Sequence, residues 1–171
     1  MDTFTDSRDG NIYKTVEING QTWLAENLRY EGVGFYYPND DERKAKFYGL
    51  LYKWGDALEA CPKGWHLPSK KEFQELIDVA GATPEEQSEN LRALGWSGTD
   101  ALGFRALPAG SRGNSPYRFF GKLTYFWMAM EDNSGGFTNY LCLGGDGLCD
   151  GVINVNGGNR HSAFSVRCVK D

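Results

Sequence analysis

The sequence predicts an α+β fold from three features: an Asn-Gly turn between two strand-like runs near the N-terminus, capped amphipathic helices in the middle, and a second half in which Gly, Ser and Asn interrupt every apolar stretch. Helices and strands are segregated along the chain rather than alternating, which excludes a repeating βαβ pattern with a parallel sheet. The expected architecture is an N-terminal hairpin, two to three helices and a loop-rich antiparallel β C-terminal half.

The hairpin comes first. Asn11 to Ile18 and Gln21 to Leu24 flank Asn19-Gly20, the dipeptide whose residues most readily take the positive φ angles of a two-residue turn. Leu51, Trp54, Ala57 and Leu58 then recur at helical spacing before Cys61-Pro62, predicting a helix that Pro62 closes. Ser69-Lys-Lys-Glu72 is a capping box, in which hydroxyl and carboxylate satisfy the first free amides. Phe73, Leu76, Ile77 and Ala80 form the apolar face of a helix over 70–80 that stops at Gly81. Thr83-Pro84-Glu85-Glu86 opens a third helix, with Leu91 and Leu94 on its face and Gly95 as its stop. Beyond Trp96, Phe119-Phe120, Tyr125 to Met128 and Phe164 to Val169 read as strands.

A chain of 171 residues with 40% hydrophobic content suits one globular domain spanning residues 1–171. The net charge of −5 and the lack of a Lys/Arg stripe argue against a nucleic-acid partner, whose phosphates require clustered cations. No apolar run approaches the roughly 18 residues of a membrane span, so direct insertion into a bilayer is not expected. The start, Met1-Asp2-Thr3, lacks the basic and apolar stretches of a secretory leader.

Between Asp132 and Val166 the residue vocabulary changes. Lys, Glu, Gln, Trp and Met are absent there, although together they supply 30 of the first 131 residues. At the earlier rate about eight would be expected. Two explanations compete. Surface loops rich in Gly, Asn and Ser exclude bulky and helix-favouring residues for reasons of turn geometry. Alternatively, an Asn codon whose two adenines are randomised yields every type seen here and none of the five missing ones, which is the signature of a diversified binding surface.

Thr5-Asp-Ser-Arg-Asp-Gly10, Gln21-Thr-Trp-Leu-Ala-Glu-Asn-Leu28, Tyr48-Gly-Leu-Leu-Tyr-Lys-Trp54, Cys61-Pro-Lys-Gly-Trp-His-Leu-Pro-Ser69 and Ser165-Val-Arg-Cys-Val-Lys-Asp171 together resemble the Fibrobacter succinogenes major paralogous domain over nearly the whole chain. The resemblance implies a C-type-lectin-like fold in a secreted or surface-attached bacterial protein, often a lipoprotein or adhesin, without established catalytic activity. Some relatives of that fold are variable proteins of diversity-generating retroelements, whose C-terminal region is rewritten at adenines. The chain departs from the family at Met128-Ala-Met-Glu131, where Met128 and Met130 are either packing variants or part of a binding face. It also carries Leu, Gly, Val and Cys after that point, where relatives are rich in Asn, Tyr and Arg.

The lectin-like resemblance brings Cys61 and Cys168 together and implies a disulfide, the alternative being two buried thiols. Such a bridge, closing more than 100 residues, contributes about 4.7 kcal/mol in the chain-entropy model. Cys142 and Cys149 either close a second, small loop or are accidental products of randomised codons. Formylglycine-generating enzymes share the lectin-like architecture and bind copper through two cysteines, but this chain is much shorter and its cysteine spacing differs, so no enzyme activity is expected. His66 reads as a structural hydrogen-bonding residue and His161 as an exposed one; neither belongs to a metal or nucleophile motif. Asp146-Gly147 and Asp150-Gly151 read as turns. No cofactor is expected, with room only for a structural calcium ion.

The leading expectation is a ligand-binding surface over 132–161 on a rigid scaffold. Phe137, Tyr140, Leu141, Leu143 and Leu148 would supply apolar contact, and Asn139, Asp146, Asp150, Asn154, Asn156, Asn159, Arg160 and His161 polar specificity. Val152 and Val155 are assigned inward as strand residues, and Trp127 and Phe164 to the core. The partner would be a protein or glycan on a cell or phage-host surface. A different reading is a carbohydrate-binding or structural envelope module with a fixed surface, in which Tyr36, Tyr37, Tyr48 and Tyr117 form a sugar-stacking platform.

Overall fold

A computed structural model describes residues 2–113, 116–129, 138–144, 149 and 152–171, with 152–158 described by backbone alone. The class is α+β, as predicted. Strands β1 (Asp2–Thr5), β2 (Ile12–Ile18) and β3 (Gln21–Leu24) form an antiparallel meander. The β2–β3 turn is the predicted one, with Asn19 at φ 50° and Gly20 at φ 77°. The C-terminal strand β12 (Val169–Lys170) inserts between β3 and β5 (Trp65–His66), so the two ends of the chain share one five-stranded sheet.

Helix α1 (Ala45–Tyr48) ends at Gly49, whose φ of 72° and close approach to Asn27 suit a residue without Cβ. An added Cβ would lie 2.5 Å from that of Asn27. The first predicted helix is shorter than its spacing suggested. Leu51 bridges Tyr36, and β4 (Tyr52–Lys53) pairs with β11 (Ala163–Phe164), so α2 spans only Trp54–Ala60. Leu58 is consequently 44% exposed, and Ala57 and Ala60 face inward. Pairing with a distant strand has overridden the local helical periodicity.

Helix α3 (Lys70–Ala80) matches its prediction at both ends. Ser69 Oγ accepts from the Glu72 amide, the Glu72 carboxylate accepts from the Ser69 amide, and Phe73, Leu76, Ile77 and Ala80 are buried. Helix α4 (Pro84–Leu91) starts at the Thr83 cap as expected but ends before Leu94, which is 74% exposed. The Ala93 amide donates to the Ala106 carbonyl and pulls the chain out of helical geometry.

The remaining strands are β6 (Ser111–Arg112), β7 (Tyr117–Arg118), β8 (Leu123–Trp127), β9 (Thr138–Gly144) and β10 (Val152–Gly158). They build a four-stranded sheet, β4-β11-β6-β7, and a three-stranded sheet, β10-β9-β8. Phe119 lies just past β7 in a turn at φ 62°, and its carbonyl accepts from the Lys122 and Leu123 amides, so Phe119-Phe120 is a reversal rather than a strand. Phe164 to Val169 is likewise two short strands in different sheets, linked by a segment whose Ser165 amide donates to Tyr125.

Arg167, in that link, is fully buried. Its Nε donates to Asn27 Oδ1 at 2.9 Å, Nη1 to the carbonyls of Leu24 and Phe104, and Nη2 to Arg105 O at 3.1 Å. The guanidinium also lies 4.4 Å from the Phe104 ring centre. Around it, one apolar cluster gathers Trp23, Phe73, Phe104, Phe126, Met128, Leu141 and Leu143. A second gathers Tyr13, Leu28, Tyr52, Trp65, Trp127, Phe164 and Cys168, so Trp127 and Phe164 are core residues as assigned, and Met128 is a packing variant. Disulfides join Cys61 to Cys168 and Cys142 to Cys149.

Replacing Arg167 by Met should lower unfolding free energy by at least about 3 kcal/mol, because four acceptors lose their donor in a dry interior; urea denaturation checks this. Removing the Cys61–Cys168 bridge by paired alanines should cost about 2–5 kcal/mol, and removing Cys142–Cys149 about half as much, since the loop closed is far shorter.

Candidate functional site

Strand β9 carries the first of the predicted contact residues, and it is covered on both faces. Leu141 and Leu143 are 0% exposed and pack in the cluster with Phe73 and Phe126, so they are core residues and not ligand contacts. The reason is period two along a central strand: these side chains point to the sheet face that the helices cover, while Tyr140 points to the other. Asn139 is half-buried, with its backbone carbonyl accepting from Met128. Phe137, Asp146, Leu148 and Asp150 lie outside the described residues, and for Val152, Asn154, Val155 and Asn156 on β10 only the backbone is described.

Tyr140 belongs to an aromatic group assembled from three parts of the chain. Tyr125 stacks on Phe164 at 4.8 Å with planes 19° apart, and Tyr140 meets Tyr125 and Phe164 edge-on at 5.7 and 5.3 Å. Burial raises the Tyr125 and Tyr140 phenols above their ordinary value of 10, Tyr140 adding to the effect on Tyr125, so both hydroxyls stay protonated in neutral solution.

An open cleft of ≈ 360 Å³ lies against this group. Phe164, Tyr125 and Phe119 give it apolar walls, and Ser111, Arg118, Asn159 and Ser162 give it polar ones. Its edge is the turn after β10, where the Ser162 amide donates to Asn159 O and the His161 amide to Asn159 Oδ1 at 2.9 Å. Asn159, Arg160 and His161 are all exposed, and the Arg160 guanidinium sits 5.1 Å from the Trp54 ring centre. The structure thus brings Tyr140, Asn159, Arg160 and His161 to one region beside this cleft. Ser111, Arg118, Phe119, Tyr125 and Ser162 complete it, and sequence reasoning missed them because their meeting depends on which strands pair.

The tyrosines of the platform reading are engaged elsewhere. Tyr36, Tyr48 and Tyr117 pack half-buried on Leu51, Ala109 and Ala163, with the Arg112 guanidinium 3.9 Å over the Tyr36 ring. Tyr37 packs edge-on against Phe35.

His66 is a structural residue, as read from sequence. Its Nδ1 lies 2.7 Å from Asp171 Oδ1 and its Nε2 2.8 Å from Glu72 Oε1, tying β5 to the C-terminal residue and to the cap of α3. Burial opposes the charge on His66, but hydrogen bonds to the two carboxylates outweigh it and raise its pKa. Burial likewise opposes the Glu72 carboxylate, and the Ser69 amide and His66 outweigh that to lower its pKa. Among the described residues no three His, Cys, Asp or Glu side chains converge as metal ligands.

The fold and the site define a class: a disulfide-linked α+β scaffold presenting an open, aromatic-walled cleft beside its C-terminal strands. The chain belongs to the Fibrobacter succinogenes major domain family, a family of bacterial proteins, whose model matches residues 16–170. No curated protein and no solved structure matches the chain. Two disulfides are in keeping with folding in an oxidising compartment, and no described helix is long and apolar enough to cross a membrane.

The His66 contacts carry a pH signature. With its pKa raised in the fold, His66 contributes stability in full below its ordinary 6.5 and loses it as pH rises through the higher folded value. Glu72, with its pKa lowered, contributes above its ordinary 4.5 and loses that as pH falls. The stability lost in His66→Asn, followed by thermal melts across pH, should therefore be largest between those two values and shrink on either side.

Proposed function

We propose that the protein is a non-catalytic ligand-binding or adhesion module of the bacterial cell surface, with a lectin-like scaffold displaying a diversified surface over 132–161. The observation that carries this reading is the cleft of Tyr125, Phe164, Arg118 and Asn159, edged by a turn that lies within the stretch lacking Lys, Glu, Gln, Trp and Met. Aromatic walls with small polar neighbours are the composition of adaptable binding faces, and a stable framework lets such loops change without loss of core. Pairing of all four cysteines argues against the copper-binding cysteine pair of a formylglycine-generating-type oxidase, which needs free thiolates. The ligand class is a protein or glycan on a cell or phage-host surface, and the family's frequent surface attachment supports that location.

A fixed carbohydrate-binding surface is the second reading, favoured by the aromatic residues Phe119 and Tyr125 lining the cleft beside Arg118, Asn159 and Ser162. A glycan and surface-protein array probed with the wild-type chain and with Asn159→Ala/Arg160→Ala/His161→Ala tests the site. Hits should weaken at least about ten-fold in the variant, as expected when anchoring contacts on the exposed turn at the cleft's edge are truncated; hits left unchanged would move recognition away from this cleft. Sequencing the genomic neighbourhood separates the two readings. A near-copy of the C-terminal codons differing only at adenines would establish diversification, and its absence would leave the fixed surface.

A further inference from the structure

A second cleft, of ≈ 350 Å³, shares no residue with the first and lies wholly in the scaffold. Its lining includes Lys14 from β2, Arg29, Lys46 and Phe47 from α1, and Arg105, with Glu26 as its one carboxylate. Four cations thus face one anion, in a chain whose net charge is −5. Like charges gathered at one place repel each other, and a site that gathers them favours an anionic ligand.

Of these cations, the Arg29 side chain and the main chain at Arg105 are held in place. Arg29 is held by Nε to Asn11 Oδ1 at 3.2 Å and by Nη2 to Ile12 O, with its guanidinium 4.3 Å from the Tyr13 ring centre. Glu26 is itself engaged, accepting from the Lys14 amide at 2.6 Å and lying 4.0 Å from Arg29 Nη1. Arg105 sits at φ 57°, a strained conformation for a side-chain-bearing residue, locked by its amide donating to Asp100 Oδ1 and its carbonyl accepting from buried Arg167. Among the described residues no carboxylate pairs with the side-chain nitrogens of Lys14, Lys46 or Arg105. Phe47 is 68% exposed at the same cleft, an aromatic face with no core to cover.

We propose that this cleft binds an acidic glycan, with a sugar ring packed on Phe47 and its carboxylate or sulfate held by Arg29, Lys46 and Arg105. Guanidinium and ammonium donors make strong charge-assisted bonds to such groups, and a cleft of this size accommodates one or two sugar rings. The open ring favours a sugar over a simple inorganic anion, which would leave Phe47 without a role. This site goes beyond the function proposed above and uses none of residues 132–161.

Calorimetric titration of the full chain at low salt with tetragalacturonate, a heparin tetrasaccharide and a neutral galactose tetrasaccharide tests it, with a tetraglutamate peptide and a short oligothymidylate as charge-matched controls. Saturable binding of either acidic sugar and none of the neutral one is expected, and the tighter of the two identifies carboxylate or sulfate as the group read. Lys46→Gln/Arg105→Gln should weaken binding at least about ten-fold, Lys14→Gln/Lys46→Gln should weaken it with Arg105 intact, and Phe47→Ala should weaken sugar binding with the charges in place. Asn159→Ala/Arg160→Ala/His161→Ala should leave it unchanged, so failure here and failure of the first site are separable. No binding of either acidic sugar, equal binding of the peptide or oligonucleotide, or loss only in the Asn159–His161 variant would overturn the proposal.

Discussion

The structure depends on one buried cation. Among the described residues Arg167 has no carboxylate partner; its charge is met by the carbonyls of Leu24, Phe104 and Arg105 and by Asn27 Oδ1. Burial lowers its pKa to about 9, still above neutrality, so the guanidinium remains charged and every one of those acceptors is needed. The acceptors come from the end of β3, from the turn after it and from the loop after α4. A single fork-shaped donor therefore fixes where two separate segments, 24–27 and 104–105, lie relative to the C-terminal strand. Asn27 extends the network, donating to Tyr48 O and Ser165 Oγ, which explains why the chain at Gly49 must pass so close to it.

The two disulfides divide the chain in the same way. Cys61–Cys168 joins the end of α2 to the residue beside Arg167 and spans 107 positions, so it restrains the scaffold as a whole. Cys142–Cys149 spans seven and restrains only the chain at the C-terminal end of β9. The long bridge thus anchors the scaffold outside the stretch with the altered vocabulary, and within that stretch only the exposed turn at Asn159–His161, not core residues such as Leu141, Leu143 and Phe164, is placed to vary at little cost to folding.

The two clefts differ in chemistry in a way that matches their supports. The first is walled by aromatic rings whose packing on Trp127 and Phe164 is continuous with the core, and its polar groups lie on turns. The second is cationic: its Arg29 guanidinium is held by the Ile12 carbonyl of the hairpin, and the main chain at Arg105 is held by the Arg167 network. The recognition proposed for the first could change by substitution in loops, whereas that proposed for the second would be tied to segments held by the Arg167 network.

What the sequence determined by itself was local. The Asn19-Gly20 turn, the Ser69–Glu72 box and the inward face of α3 are encoded within a few residues, so turn chemistry and helical period suffice to read them. The family motifs marked Arg167, Cys61 and Cys168 but not what Arg167 touches. The tertiary structure decided the rest: Leu51 and Tyr52 became strand because Tyr36 and Phe164 lie beside them, and Leu94 left its helix because Ala106 offered a hydrogen bond. Leu141 and Leu143 went into the core because β9 is a central strand covered on both faces, a fact that no window around them contains. Both clefts are of this second kind. Each is made where segments far apart in the chain meet, and only sheet pairing and the Arg167 contacts set which segments those are.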